Sequence, residues 1–210
     1  MREVKFQEDF IQPLRQLDWK VIVAIIVSTF CVVVERYQSP FSNEIFDHLL
    51  FFGLIPLSVV FIFRQHPREF GIQIGDYKIG ILISLASCCV LTFVMLVIAP
   101  TTDFRAYYGG NVDRFWEVVQ NYGLDLLGWE FLFRGFLIFS LLPVCGPYAI
   151  FLQAVPFTIA HIGKPEIETY SCIFGGAFLG WLAWRTRSFI YPFIIHWYLA
   201  IITTLFSRGF

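Results

Sequence analysis

Four ionisable residues lie in stretches that are otherwise apolar, and their types together suit bond hydrolysis: Glu130, Arg134, His161 and His196. A charged group at the centre of a transmembrane helix costs about 2.5–3.5 kcal/mol on insertion scales. Such groups therefore face a bundle interior or a watery cavity, and they tend to pair. Glu130 and Arg134 are four residues apart in Gly-Trp-Glu-Phe-Leu-Phe-Arg-Gly. On a helix both project from one face, with the Glu on the N-terminal side, the better order for an ion pair. A self-neutralising structural pair would explain these two alone. His161 closes the run Pro-Phe-Thr-Ile-Ala-His, and His196 falls in the last apolar run. Either histidine alone reads as a satisfied polar tip. Taken jointly, four costly residues on three helices point to one shared cavity. A carboxylate and two imidazoles could hold a divalent metal such as Zn2+, with Glu130, His161 and His196 as ligands. The same groups could instead activate water with no metal at all.

The elements that must position them are membrane helices. The chain is 57% hydrophobic and only 15% charged, against about 45–50% and about 25% in soluble domains. That excess requires lipid contact, and open strands cannot satisfy their backbone groups in lipid. The expected fold is therefore an all-α, polytopic transmembrane bundle in one domain spanning 1–210. Seven apolar runs are visible, at about 20–35, 47–64, 78–99, 120–142, 147–162, 169–185 and 188–207, with six to eight spans allowed. Residues 100–119 read as a loop with an interfacial helix. Glu35, Asp47 and Asp125 lie close enough to span ends to reach an interface. Lys and Arg fall more often on alternate loops (Arg2, Lys5, Arg15, Lys20, Arg64, Arg68, Lys78, Arg185 and Arg187), which predicts a multi-pass protein with a cytoplasmic N-terminus. A net charge of −1 gives no reason to expect a nucleic-acid partner. The five cysteines lie in apolar runs without a C-x-x-C pair, so they read as packing residues.

Over residues 123–207 the order Glu130-x-x-x-Arg134, Phe157-x-x-x-His161 and then His196 resembles the CAAX-protease and bacteriocin-processing (CPBP) family of intramembrane proteases. The resemblance implies a bundle of about eight helices and hydrolysis of a peptide bond in a membrane-associated or lipidated substrate. Two positions depart from the family pattern. Its first motif usually opens with two Glu residues, whereas Trp129 precedes Glu130 here. Its last motif usually ends in Asn or Asp, whereas Ala200 stands four residues after His196. In the family the leading Glu is assigned to water activation, and the last pair to oxyanion stabilisation. The chain looks like a branch of the family with Trp in place of the first Glu.

Within that resemblance Glu130 would activate water or bind metal, and Arg134 would hold it ionised. His161 and His196 would be metal ligands, or acid/base and oxyanion groups. Glu168, which follows His161 across a Gly and a Pro, is the candidate for the missing carboxylate. Two solvated loop acids, Glu166 and Glu168 beside Lys164, are the plainer reading of that segment. Gly175, Gly176 and Gly180 form a small-residue stripe suited to close helix packing. The rival expectation is a catalytically silent relative serving as an immunity, scaffold or regulatory membrane protein, which the residues at 129 and 200 would suit.

Overall fold

The computed structural model describes residues 17–110 and 114–209. Among the described residues the longer helices are α1 (Trp19–Tyr37), α2 (Glu44–Ile62), α3 (Tyr77–Ile98), α4 (Thr102–Tyr108), α5 (115–145), α6 (149–160), α7 (Glu166–Thr186) and α8 (Ile190–Arg208), and no strand is present. Each of the seven apolar runs falls on one of these helices, and α4 lies in the segment expected to hold an interfacial helix. Among the described residues four helical stretches are long and apolar enough to cross a membrane by length and composition: Glu44–Ile62, Tyr77–Ile98, Phe115–Ala160 and Ile190–Arg208. The charge bias behind the cytoplasmic N-terminus draws on Arg2, Lys5 and Arg15, which lie outside the described residues.

The helices begin where a short polar side chain can accept from a free backbone N–H. Asp18 accepts from Lys20 N at the start of α1, Asn43 from Ile45 N and Phe46 N at α2, and Asp76 from Ile79 N at α3. Leu82, Leu85, Phe93 and Val97 of α3 are exposed, as a lipid-facing helix requires. In the interior Phe52, Leu132, Phe133, Phe136, Ile138 and Leu182 are fully buried. The loop before α3 closes one end of α7 and α8. Gly71 and Gly75 have φ of +78° and +60°, and a Cβ on Gly75 would stand 1.9 Å from Thr186 O. That close approach lets Asp76 N donate to Thr186 O, while Arg185 pairs with Asp76 at 3.0 Å.

Two helices carry a π-helical turn, Leu49–Leu54 in α2 and Phe131–Leu137 in α5. Such turns are often found at functional sites because the extra residue per turn re-aims the side chains around it. The second begins directly after Glu130 and contains Arg134. Gly128 lets α5 lie against α2, since a Cβ there would meet His48 O at 2.7 Å.

The glycine stripe is only partly an interface. Gly176 faces Phe157 and Ala154, and Gly180 faces Gln153, whose Nε2 would be 2.4 Å from an added Cβ. Gly175 has nothing within 4 Å of its Cβ position. It lies one residue, about 100° of helix turn, from Gly176 and so looks elsewhere. The expectation of interface-reaching acids also needs correction. Asp47 is buried, held by Ser39 Oγ and by Phe41 N at 3.1 Å. Glu35 and Asp125 turn inward to a third residue described below.

Candidate active site

Glu130, Arg134, His161 and His196 come together at the centre of the bundle. Glu130 and Arg134 are fully buried and His161 nearly so. The Glu130 Oε1 atom lies 3.2 Å from Arg134 Nη1 and 2.7 Å from His196 Nδ1. The Arg134 guanidinium stacks on the Phe157 ring, 3.7 Å from its centroid. A buried cation is tolerated only with such compensation.

Hydrogen bonding settles which way each imidazole faces. His161 Nδ1 is 2.8 Å from Phe157 O. A carbonyl only accepts, so Nδ1 carries the proton there and Nε2 of the neutral ring keeps its lone pair. His196 Nδ1 is likewise taken by a carboxylate, leaving its Nε2 as the free ring nitrogen. The two rings lie 6.2 Å apart, centre to centre, with planes 29° from parallel.

Both histidines line a cleft of about 330 Å3, together with His48, Asp125, Trp129 and Lys164. They also line an adjoining chamber of about 230 Å3, whose other walls include Met95 of α3, Leu179 of α7 and Leu199 of α8. Glu130 and Arg134 border neither space; they stand behind His196. Ala200 lines the apolar chamber and presents no polar atom to it.

Glu168 borders the same chamber, but its two oxygens share the one hydroxyl proton of Tyr108, at 2.8 and 2.7 Å from its Oη. Lys164 Nζ lies 3.3 Å from Glu168 Oε1. Burial works against the Lys164 charge, yet Glu168, helped by Tyr107 and Cys172, holds the ammonium above the usual lysine range. Burial, followed by the Glu168 charge, pushes the Tyr108 phenol up as well. Glu168 is thus braced by two partners and belongs to the chamber wall; it is not a solvated loop acid.

Among the described residues no three His, Cys, Asp or Glu side chains are gathered so as to hold a metal ion. Glu130 Oε1 is shared by Arg134 and His196 behind the cleft, its Oε2 has no partner among the described residues, and Glu130, His161 and His196 do not converge on one point as three ligands would.

Sequence reasoning missed His48. It lies at the head of α2, beside the buried Asp47, and stacks on Phe52 with ring centres 5.0 Å apart. Its Nδ1 contacts Asp125 Oδ1, and its Nε2 lies 3.1 Å from Glu35 Oε1. The indole Nε1 of Trp129 lies 3.2 Å from His48 Nδ1. Glu35 comes from α1, His48 from α2 and Asp125 from α5. The signal that could have found this cluster is the one used for the other four residues: three ionisable groups at the ends of apolar runs, each costly to leave in lipid alone.

Residues 112–202 match the family described as type II CAAX prenyl endopeptidase Rce1-like. The match encloses Glu130, Arg134, His161 and His196 and bears out the resemblance to CPBP proteases. Neither the curated proteins nor the solved structures contain a match to the chain.

Proposed function

We propose that this integral membrane protein is an intramembrane endopeptidase that hydrolyses a peptide bond of a membrane-associated or lipidated substrate, in the manner of CAAX-type proteases. The observation that carries the reading is the pair of fixed imidazoles, His161 and His196. Each is tied through Nδ1, and each belongs at once to a polar cleft and to an apolar chamber. Amide hydrolysis needs a positioned water, a group that takes its proton, and donors for the developing oxyanion. His161 Nε2 can accept a hydrogen bond from the water and orient it. His196, when protonated, donates from Nε2 toward the carbonyl oxygen, with the Glu130 carboxylate bonded to its Nδ1 behind it. Arg134, 3.2 Å from its Oε1, holds Glu130 in place. Glu130 is then a positioning residue, because it is shut off from the cleft by His196. The apolar chamber suits a hydrocarbon chain attached to the substrate, which would lead the peptide into the cleft.

Lacking a carboxylate at 129 and a donor at 200, a silent scaffold is the competing reading. Cleavage separates the two. The wild-type protein, reconstituted in lipid nanodiscs, is incubated with peptides ending in a prenylated Cys-aliphatic-aliphatic-X motif and with their unprenylated counterparts. Mass spectrometry should show a single cleavage that depends on the lipid, and His161→Ala and His196→Ala should each abolish it. Intact peptide throughout, with folded protein, would overturn the proposal in favour of the scaffold.

A further inference from the structure

Two chains of charged contacts end on the same cleft, and only the first is anticipated by the sequence motifs. Arg134, Glu130 and His196 form one; its open end is an imidazole nitrogen, and with His196 protonated it carries one net positive charge. Glu35, His48 and Asp125 form the other. Both ring nitrogens of His48 face carboxylates, so the ring is bonded as an imidazolium between two anions and the chain carries one net negative charge. Its open end is a carboxylate. Asp125 Oδ1 is occupied by His48, while the rest of the group borders both the polar cleft and the apolar chamber.

We infer that Asp125 is the water-activating carboxylate of this protein, with His48 and Glu35 as its positioning residues. The inference rests on the hydrolytic reading above and deepens it. Asp125 precedes Trp129 by four residues on α5, so it occupies the same helix face one turn away. The helix therefore still offers a carboxylate on the face where Trp129 stands, displaced by one turn. Trp129 packs edge-on against the His48 ring, with ring centres 5.3 Å apart, and so limits its movement. Glu168, the candidate suggested by sequence proximity to His161, shares the Tyr108 hydroxyl proton between its two oxygens and has one also paired with Lys164, and so is poorly placed to take up a proton. The groups facing Asp125 in the cleft are His48, Tyr122, His161, Lys164, His196 and Arg208. Among them Lys164 and Arg208 bring positive charge to the side of the cleft that the carboxylate borders.

The step balances without any further reagent. Asp125 takes a proton from water as the water oxygen bonds to the scissile carbonyl carbon, and the carbonyl π electrons move to the oxygen facing His196. When the carbonyl re-forms, the C–N bond breaks with its electron pair on nitrogen. The Asp125 carboxyl returns its proton to that nitrogen, releasing an amine and a new carboxyl terminus with one water consumed.

The test uses full-length protein in nanodiscs with the peptide that the wild type cleaves. Asp125→Asn keeps the shape and can still contact His48, so it should fold, with kcat reduced by about 10²–10⁴ and KM little changed. Asp125→Ala should be equally slow but recover several-fold in added formate, a small carboxylate able to enter the emptied position. His48→Gln, which acts through Asp125, should shift the low-pH limb of the kcat profile without removing activity. Wild-type kcat in Asp125→Asn would overturn the inference while leaving the protease reading intact, and so would an inactive Asp125→Ala that formate does not restore. Loss of kcat in Glu168→Gln with activity retained in Asp125→Asn would return the role to Glu168. No cleavage by the wild type would overturn both readings together.

Discussion

Replacing Arg134 with methionine should cost about 3–5 kcal/mol of folding free energy, the range expected when one partner of a buried ion pair is removed. The structure says why the cost should be this large. Arg134 Nη1 and Glu130 Oε1 are 3.2 Å apart, and both side chains have zero exposure. At an effective dielectric constant of 20, that separation corresponds to an attraction of about 5 kcal/mol. The stack on Phe157 at 3.7 Å adds about 1–2 kcal/mol of cation–π energy at a desolvated site. Methionine recovers part of the apolar contact but leaves Glu130 buried with only His196 as a partner. The double variant Glu130→Gln/Arg134→Met leaves no unpaired ion, so it should be more stable than Arg134→Met alone. Equilibrium unfolding of the wild type, Glu130→Gln, Arg134→Met and the double variant in mixed detergent micelles, followed by tryptophan fluorescence, gives the coupling energy directly. A coupling within about 0.5 kcal/mol of zero would refute the reasoning; Arg134 would then be stabilised by its π contact rather than by the carboxylate.

Further outcomes follow from the same geometry. Gly180→Ala places a methyl group 2.4 Å from Gln153 Nε2 and should destabilise by about 1–3 kcal/mol, whereas Gly175→Ala, which meets nothing, should be neutral in the same assay. Tyr108→Phe removes the hydrogen bond shared by the two Glu168 oxygens and should cost about 1.5–3 kcal/mol, the range for a bond to a charged group, measured as a lower unfolding midpoint. Trp129→Phe keeps an aromatic ring against Phe52 and Phe133 but is smaller than the indole that packs edge-on against His48. It should lower kcat more than stability, as read by comparing cleavage rate with unfolding midpoint.

The helices were largely legible in the sequence because lipid imposes a simple rule, a long apolar run closed by polar residues. The convergence of Glu130, Arg134, His161 and His196 was legible for the same reason, since each is costly in lipid and cheap only beside the others. What stayed hidden depends on rotation about helix axes and on contacts distant in sequence. His48 and Asp125 are 77 residues apart; Asp125 reads in the sequence as a group able to reach an interface, and His48 carries no motif of its own. The π-helical turn after Glu130 has no pattern of its own in Phe-Leu-Phe-Arg-Gly-Phe-Leu, so the placement of Glu130 behind His196 could not be read. Gly175 and Gly176 differ in role only through the helix rotation between them. Glu168 was close to His161 along the chain, but Tyr108, which occupies it, comes from α4, 60 residues earlier.

The most direct measurement of the central claim is hydrolysis in water enriched in oxygen-18 by nanodisc-reconstituted protein, with the cleaved peptide analysed by mass spectrometry. If His161 and His196 position a hydrolytic water, one labelled oxygen should enter the new carboxyl terminus in the first turnover, and neither His161→Ala nor His196→Ala should form the labelled product. Formation of labelled product at the wild-type rate by both variants would contradict the account, because the hydrolysis would then be occurring somewhere other than this cleft.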